Sequence, residues 1–206
     1  MVRYTGPKNR IARRFGVNIF TRARNPLIHK ATPPGMHGAK RRKKSDYGLQ
    51  LEEKQKLRAI YGMLTQKQLV KNFEEALSYK GNTAEILLQM LECRLDNIVY
   101  RLRFAPTIFA AQQLVSHNHV LVNGKKVNIR SFRVKPGMKI SLKPASQKLK
   151  IVEQSINLAH REIPEYLALE DSKIEGSLSS KPQVEQIPLP LVVNVPLICE
   201  FLAHSI

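Results

Sequence analysis

The chain has 206 residues, 43% of them hydrophobic, and carries a formal charge of +18 with a pI near 10.2. That length suits one domain or two small ones and excludes a large catalytic domain joined to an accessory module, while the charge calls for a polyanionic partner, nucleic acid or an anionic membrane surface. Cys93 and Cys199 stand outside any paired spacing, which excludes a disulfide framework or a zinc knuckle, and the best apolar stretch, at 187–203, is broken by three prolines, Asn194 and Glu200, so no membrane span is expected.

Charge divides the chain into four parts. Residues 1–44 hold 13 Lys or Arg and no acid, 45–93 hold 6 against 7, 94–150 hold 12 against 1, and 151–206 hold 3 against 8. The first part is punctuated by Gly6-Pro7, Gly16, Asn25-Pro26, Pro33-Pro34-Gly35 and Gly38. It is expected to be an arm with no helix, strand or core of its own, ordered only when a polyanion neutralises it. The same punctuation interrupts the amphipathic helix that an organellar transit peptide needs, and the start lacks the apolar run of a secretory signal. Tyr4, Phe15 and Phe20 lie among the cations, placed either to stack on unpaired bases or to anchor the arm to the body.

Helices are expected to about residue 104. Leu57, Ile60, Tyr61 and Leu64 form one apolar stripe, and Leu69, Phe73, Ala76 and Leu77 a second, opened by a Thr65/Gln68 capping box. Asn82 with Glu85 caps a third helix, and Leu95, Ile98, Val99 and Leu102 begin a fourth after Cys93, where the charge balance changes and a boundary is placed. Thr107 is expected to cap a short helix that buries Ile108, Ala111, Leu114 and Val115.

Strands follow. In "VLVNGKKVN", 120–128, an apolar run meets Asn123-Gly124, a pair that tolerates positive φ, and then Lys125-Lys126, which reads as a hairpin with a cationic tip. In "SFRVKPGMKISLK" apolar residues alternate with cations from Phe132 to Leu142, giving a sheet with one apolar and one cationic face. After Asn194 a closing helix is expected to return to the helical domain.

The run "RLDNIVYRLRFAPTIFAAQQLVSHNHVLVNGKKVN", 94–128, resembles the small RNA-binding module named after small-subunit ribosomal protein four. "RYTGPKNRIARRFG" at 3–16, "TPPGMHG" at 32–38 and "RRKKSDYGLQLEEKQKLRAIYG" at 41–62 resemble the bacterial-type members of that ribosomal protein family itself, so the similarity covers about residues 1–145. It implies an α+β fold: an extended basic arm (1–44), a helical domain (45–93, completed by 194–206), and an inserted small domain with short helices packed on an antiparallel sheet (module 94–154, remainder 155–193). It also implies a structural constituent of the small ribosomal subunit, a primary binder of 16S-type rRNA that nucleates assembly of the subunit body and contributes to translational accuracy. Neighbours would be ribosomal proteins five and twelve, some members bind their own mRNA, and the location would be cytoplasmic or an organelle stroma or matrix.

Charge together with family position selects the RNA-binding residues. In the arm these are Arg3, Tyr4, Lys8, Arg10, Arg13, Arg14, Arg22, Arg24, Lys40, Arg41, Arg42, Lys43 and Lys44; in the module, Arg101, Arg103, Gln113, His119, Lys125 and Lys126. No cofactor is expected, since the four metal-binding cysteines of some relatives are missing from this arm. The module helix often reads "ARQLV" where this chain has Gln112, which suggests one phosphate contact fewer. The family's "HGH" is here "HNH", and Asn118 should still support the turn.

Three rival readings bear on these residues. "RLD" at 94–96 resembles the tripeptide in which pseudouridine synthases carry a catalytic aspartate; capping or pairing with an arginine is the role expected of Asp96 here. His117 and His119 lack a third ligand for a metal. A free-standing RNA-binding translational regulator or ribosome-associated chaperone is the alternative function, against which the 44-residue arm and the helical domain argue.

Overall fold

The computed structural model describes residues 4–21, 24–40, 43–157, 162–170 and 174–204. Along them run helices α1 (Lys8–Phe15), α2 (Pro26–His29), α3 (Asp46–Ile60), α4 (Gln66–Leu77), α5 (Thr83–Glu92), α6 (Leu95–Arg101) and α7 (Ile108–Ser116). Strands β1 (Val120–Val122), β2 (Lys125–Lys126) and β3 (Lys139–Leu142) follow, then α8 (Pro144–Gln147), α9 (Lys150–Asn157), β4 (Leu167–Glu170), β5 (Glu175–Leu178) and α10 (Val195–Ala203). The fold is α+β, divided into two compact units: Met1–Ala84 with Leu189–Ile206, and Glu85–Pro188. The division falls ahead of the charge step after Cys93.

The basic arm is not structureless, contrary to expectation. Its turn-forming residues act as helix caps instead of breakers. Pro7 precedes α1 and Gly16 ends it in the left-handed conformation at φ 69; Asn25 accepts a hydrogen bond from the Leu27 amide at the start of α2, with Pro26 at its first position. Ala12, Ile19, Phe20 and Pro26 are buried. With only 2% of its surface exposed, Phe20 is an anchor and has no face for a base.

In the same unit α10 packs on α3 and touches α4. Thr65 and Gln68 form the reciprocal capping box. Asn194 caps α10 through Leu197, while its own amide donates to Glu53 at 2.8 Å. Lys54 of α3 is buried with its ammonium 4.0 Å from the centre of the Phe201 ring, a cation–π contact; burial first, then Arg58, lowers its pKa.

The second unit holds a core made by α6, α7 and one face of a five-stranded antiparallel sheet, with Leu95, Ile98, Leu102, Ala111, Val115, Val120, Ile140 and Leu178 among its members. The strand order is β2-β1-β3-β5-β4. Asn123 at φ 48 and Gly124 at φ 77 make the tight turn of the hairpin, which only residues tolerant of positive φ can adopt. Asn118 at φ 61 supports the turn after α7.

One strand expectation is corrected. The stretch around Phe132 and Val134 makes a single bridge, Arg94 to Arg133, flanked by Leu95 N–H to Phe132 O and Val134 N–H to Cys93 O, both 2.9 Å. Its partner turns into α6 at Leu95, so no longer ladder can form. The acidic C-terminal segment, in contrast, supplies β4 and β5, whose four-residue strands carry too little alternation to be read in isolation.

Candidate nucleic-acid interface

The hairpin tip of the second unit is held rigidly. Asn123 N–H donates to Lys139 O and Lys139 N–H donates to Asn123 Oδ1, both at 2.8 Å, which ties the turn to β3. Lys125 and Lys126 occupy β2, an edge strand, and both are exposed. Gln113, on the outer side of α7, is also exposed. His119 is half-buried, its Nδ1 2.8 Å from Ser146 Oγ; burial first, then His117 and Lys143, lowers its pKa.

Strand register shows that the outer face of the sheet is not uniformly cationic. Lys126 lies opposite Leu121, Leu121 opposite Ser141, Ser141 opposite Glu175 and Glu175 opposite Glu170. Directly paired residues share a face, so charge runs from positive at β2 to negative at β4. On that face Lys139 pairs with Glu170 at 3.5 Å. Strands about 4.8 Å apart separate the two edges by roughly 19 Å, which keeps the carboxylates away from an anion bound at the hairpin. Lys139 and Lys143 were not among the expected binding residues, although the alternation of "MKISLK" places both on the polar side with Ser141.

One module arginine is turned to structural use. Arg101 was expected to face RNA, but its Nε donates to the fully buried Glu92 at 2.7 Å and its Nη1 to Pro188 O at 2.9 Å. Tyr166 donates to the same Glu92 oxygen at 2.7 Å, and burial and the carboxylate raise the phenol's pKa. The adjacent Cys93 thiol is pushed up to about 11, by burial first and by Glu92 next. Gln112, read from the sequence as a lost phosphate contact, is 9% exposed and donates to Asp96 Oδ2 at 3.3 Å, so position 112 serves the interior. Arg103 is half-buried in a left-handed conformation, φ 63.

In the N-terminal unit Arg10, Arg14, Arg24, Lys40, Lys43 and Lys44 are exposed, while Tyr4 and Lys8 are half-buried. Arg24 donates to His29 Nε2 at 3.0 Å, and Lys44 pairs with Glu52. Arg13 is spent on the loop beyond α2: its Nε donates to Lys30 O at 3.1 Å and Thr32 O at 3.0 Å, and its Nη2 to Pro33 O at 3.4 Å. Arg3, Arg22, Arg41 and Arg42 lie outside the described residues.

Comparison with known proteins matches the sequence to one family. Residues 3–92 match the family described as ribosomal protein S4/S9 N-terminal domain, and residues 93–140 match the S4 domain. A protein of Protochlamydia amoebophila named small ribosomal subunit protein uS4 is 63% identical over 205 residues, covering 100% of both chains. The chain belongs to the uS4 family. Proteins of the same name from Chlamydia trachomatis serovar D and Chlamydia caviae are 62% and 58% identical over 207 residues, covering 99% of each chain. This is a family of ribosomal structural proteins and not of enzymes, in keeping with an Asp96 that is buried and saturated by partners. No described helix is long and apolar enough to cross a membrane.

Proposed function

We propose that this chain is an rRNA-binding structural constituent of the small ribosomal subunit. The observation that carries this reading is the hairpin edge: two lysines on a turn locked to its neighbour strand, at the opposite end of the sheet from the carboxylates. Such a surface needs no rearrangement to meet a phosphate backbone, so little ordering entropy opposes binding. The cations of the 1–44 arm add a second set of phosphate contacts on a unit that is already folded.

The finer parts of the reading rest on family resemblance. The partner is 16S-type rRNA, contacted through the arm and through the 94–154 module, and early binding there nucleates the subunit body. Ribosomal proteins five and twelve are its neighbours, contact with its own mRNA gives autoregulation, and its action on accuracy follows from its position. The location is the cytoplasm, or the stroma or matrix of an organelle. Sucrose-gradient sedimentation tests the class of function. Co-sedimentation with small subunits after a salt wash is expected, whereas release into the soluble fraction would point to a free-standing RNA-binding regulator or chaperone.

A further inference from the structure

A cleft of about 1010 Å³ opens in the N-terminal unit between the end of α1, the 33–38 loop and the first half of α3. Its apolar lining includes Phe15, half-buried at the end of α1, Leu51 of α3, and the exposed Met36. Arg14 and Lys40, both exposed, contribute cations to the same lining. Its carboxylate, Glu52, is paired with Lys44, so the cleft stays positive. An aromatic and aliphatic slot edged by cations combines the two recognition elements of a nucleotide, a stacking surface for the base and a counter-charge for the phosphate.

The cleft is built before any ligand arrives. Arg13 holds three carbonyls of the loop at 3.0–3.4 Å. The loop then closes so tightly that a Cβ on Gly38 would stand 2.1 Å from Pro33 O, which only glycine avoids. On the α3 side, Gln55 lines the cleft, and its Oε1 accepts from Arg58 at 3.0 Å. That bond fixes the amide so that its NH₂ group is the end left to meet a base carbonyl.

We propose that this cleft receives one unpaired nucleotide of the rRNA, its base stacked between Phe15 and Met36 and its phosphate held by Arg14 and Lys40. A phosphate in a regular helix needs only cations on an open surface; a concave volume with an aromatic side chain in its lining is explained by a base that has left its stack. The inference rests on the rRNA-binding reading above, and it assigns a nucleotide site to the arm, where backbone contacts alone would not need one.

Zero-length ultraviolet cross-linking of the full chain to refolded small-subunit rRNA, with mass-spectrometric mapping, tests it alongside binding by Phe15→Ala and Phe15→Tyr variants. Expected are a cross-link from Phe15 or Met36 to a nucleotide that is unpaired in the rRNA, a loss of affinity on the order of 5- to 150-fold for Phe15→Ala, and near-complete retention by Phe15→Tyr, which keeps the ring. Binding by the wild-type chain with no cross-link in the cleft, or with cross-links there only to base-paired nucleotides, overturns the site while leaving the rRNA-binding reading intact. Failure of the wild-type chain to bind the rRNA sinks that broader reading instead. Should Phe15→Ala unfold, as circular dichroism would show, the wild-type cross-link map decides alone.

Discussion

The Asp96 carboxylate accepts both arms of the Arg94 guanidinium, Nε to Oδ1 at 3.0 Å and Nη2 to Oδ2 at 2.8 Å, in a site where Asp96 is 1% exposed. The Asn97 amide donates to Oδ1 at 3.1 Å and Gln112 Nε2 to Oδ2 at 3.3 Å. Asp96 N–H in turn reaches Arg130 O at 3.3 Å, and Arg130 Nε donates to Ser116 Oγ at 2.6 Å. The buried carboxylate thus joins the start of α6 to the helix α7, and the Asp96 backbone amide adds the 130–133 segment.

Removing one member of such a pair leaves the other charge buried without compensation. Asp96→Ala should cost about 3–5 kcal/mol of stability, because Arg94 would remain desolvated. Urea unfolding of the full chain measures the loss. No pseudouridine should be formed by the wild-type protein on rRNA; activity that vanished in Asp96→Ala would show a catalytic role instead.

The environment of Gln112 leads to a second expectation. Because the side chain faces Asp96 and not solvent, Gln112→Arg should leave both rRNA affinity and its salt dependence nearly unchanged. Gln113→Arg, one residue on and exposed, should steepen the dependence of log K on log salt by about 0.7–0.9 for one added phosphate contact. Filter binding across a salt series compares the two, and a steeper slope for Gln112→Arg would place position 112 on the RNA.

His119 should give the interface a pH dependence. Its pKa in the folded chain lies below the ordinary 6.5, so the unfolded chain binds the proton at a higher pH. Its contribution to stability is therefore present above about 6.5 and is lost as pH falls from there through the lower folded pKa. A bound phosphate favours the imidazolium, so rRNA binding should take up a proton and tighten from about pH 7.5 to about pH 5.5. Calorimetry in two buffers of different ionisation enthalpy measures that uptake, which His119→Gln should remove.

The α-helical stripes, the Thr65 and Thr107 caps and the Asn123-Gly124 turn were legible because each is a local pattern that tertiary packing had only to accept. The helices of the arm were not legible. Gly16 and Asn25-Pro26 are equally compatible with breaking a helix and with capping one, and the choice was made by burial of Ala12 and Phe20. Within the site, charge located the cations but could not say which would be used internally. Arg13 and Arg101 look like Arg14 and Arg103 in sequence, and only the carbonyls of the 30–33 loop and the buried Glu92 tell them apart.

Arg13 offers a fourth test. Lysine keeps the charge but lacks the planar fork that spans three carbonyls. Arg13→Lys should therefore speed amide hydrogen exchange in residues 34–40 several-fold, with little change in the global unfolding midpoint. Unaltered exchange there would mean that the loop is held by other contacts.

Binding of rRNA chiefly through phosphate neutralisation by preformed cationic surfaces is tested most directly by the salt dependence of binding to small-subunit rRNA. Neutralising about six to ten phosphates predicts a loss of affinity of roughly 10³- to 10⁵-fold between about 50 and 200 mM salt. A nearly flat response over that range would contradict it.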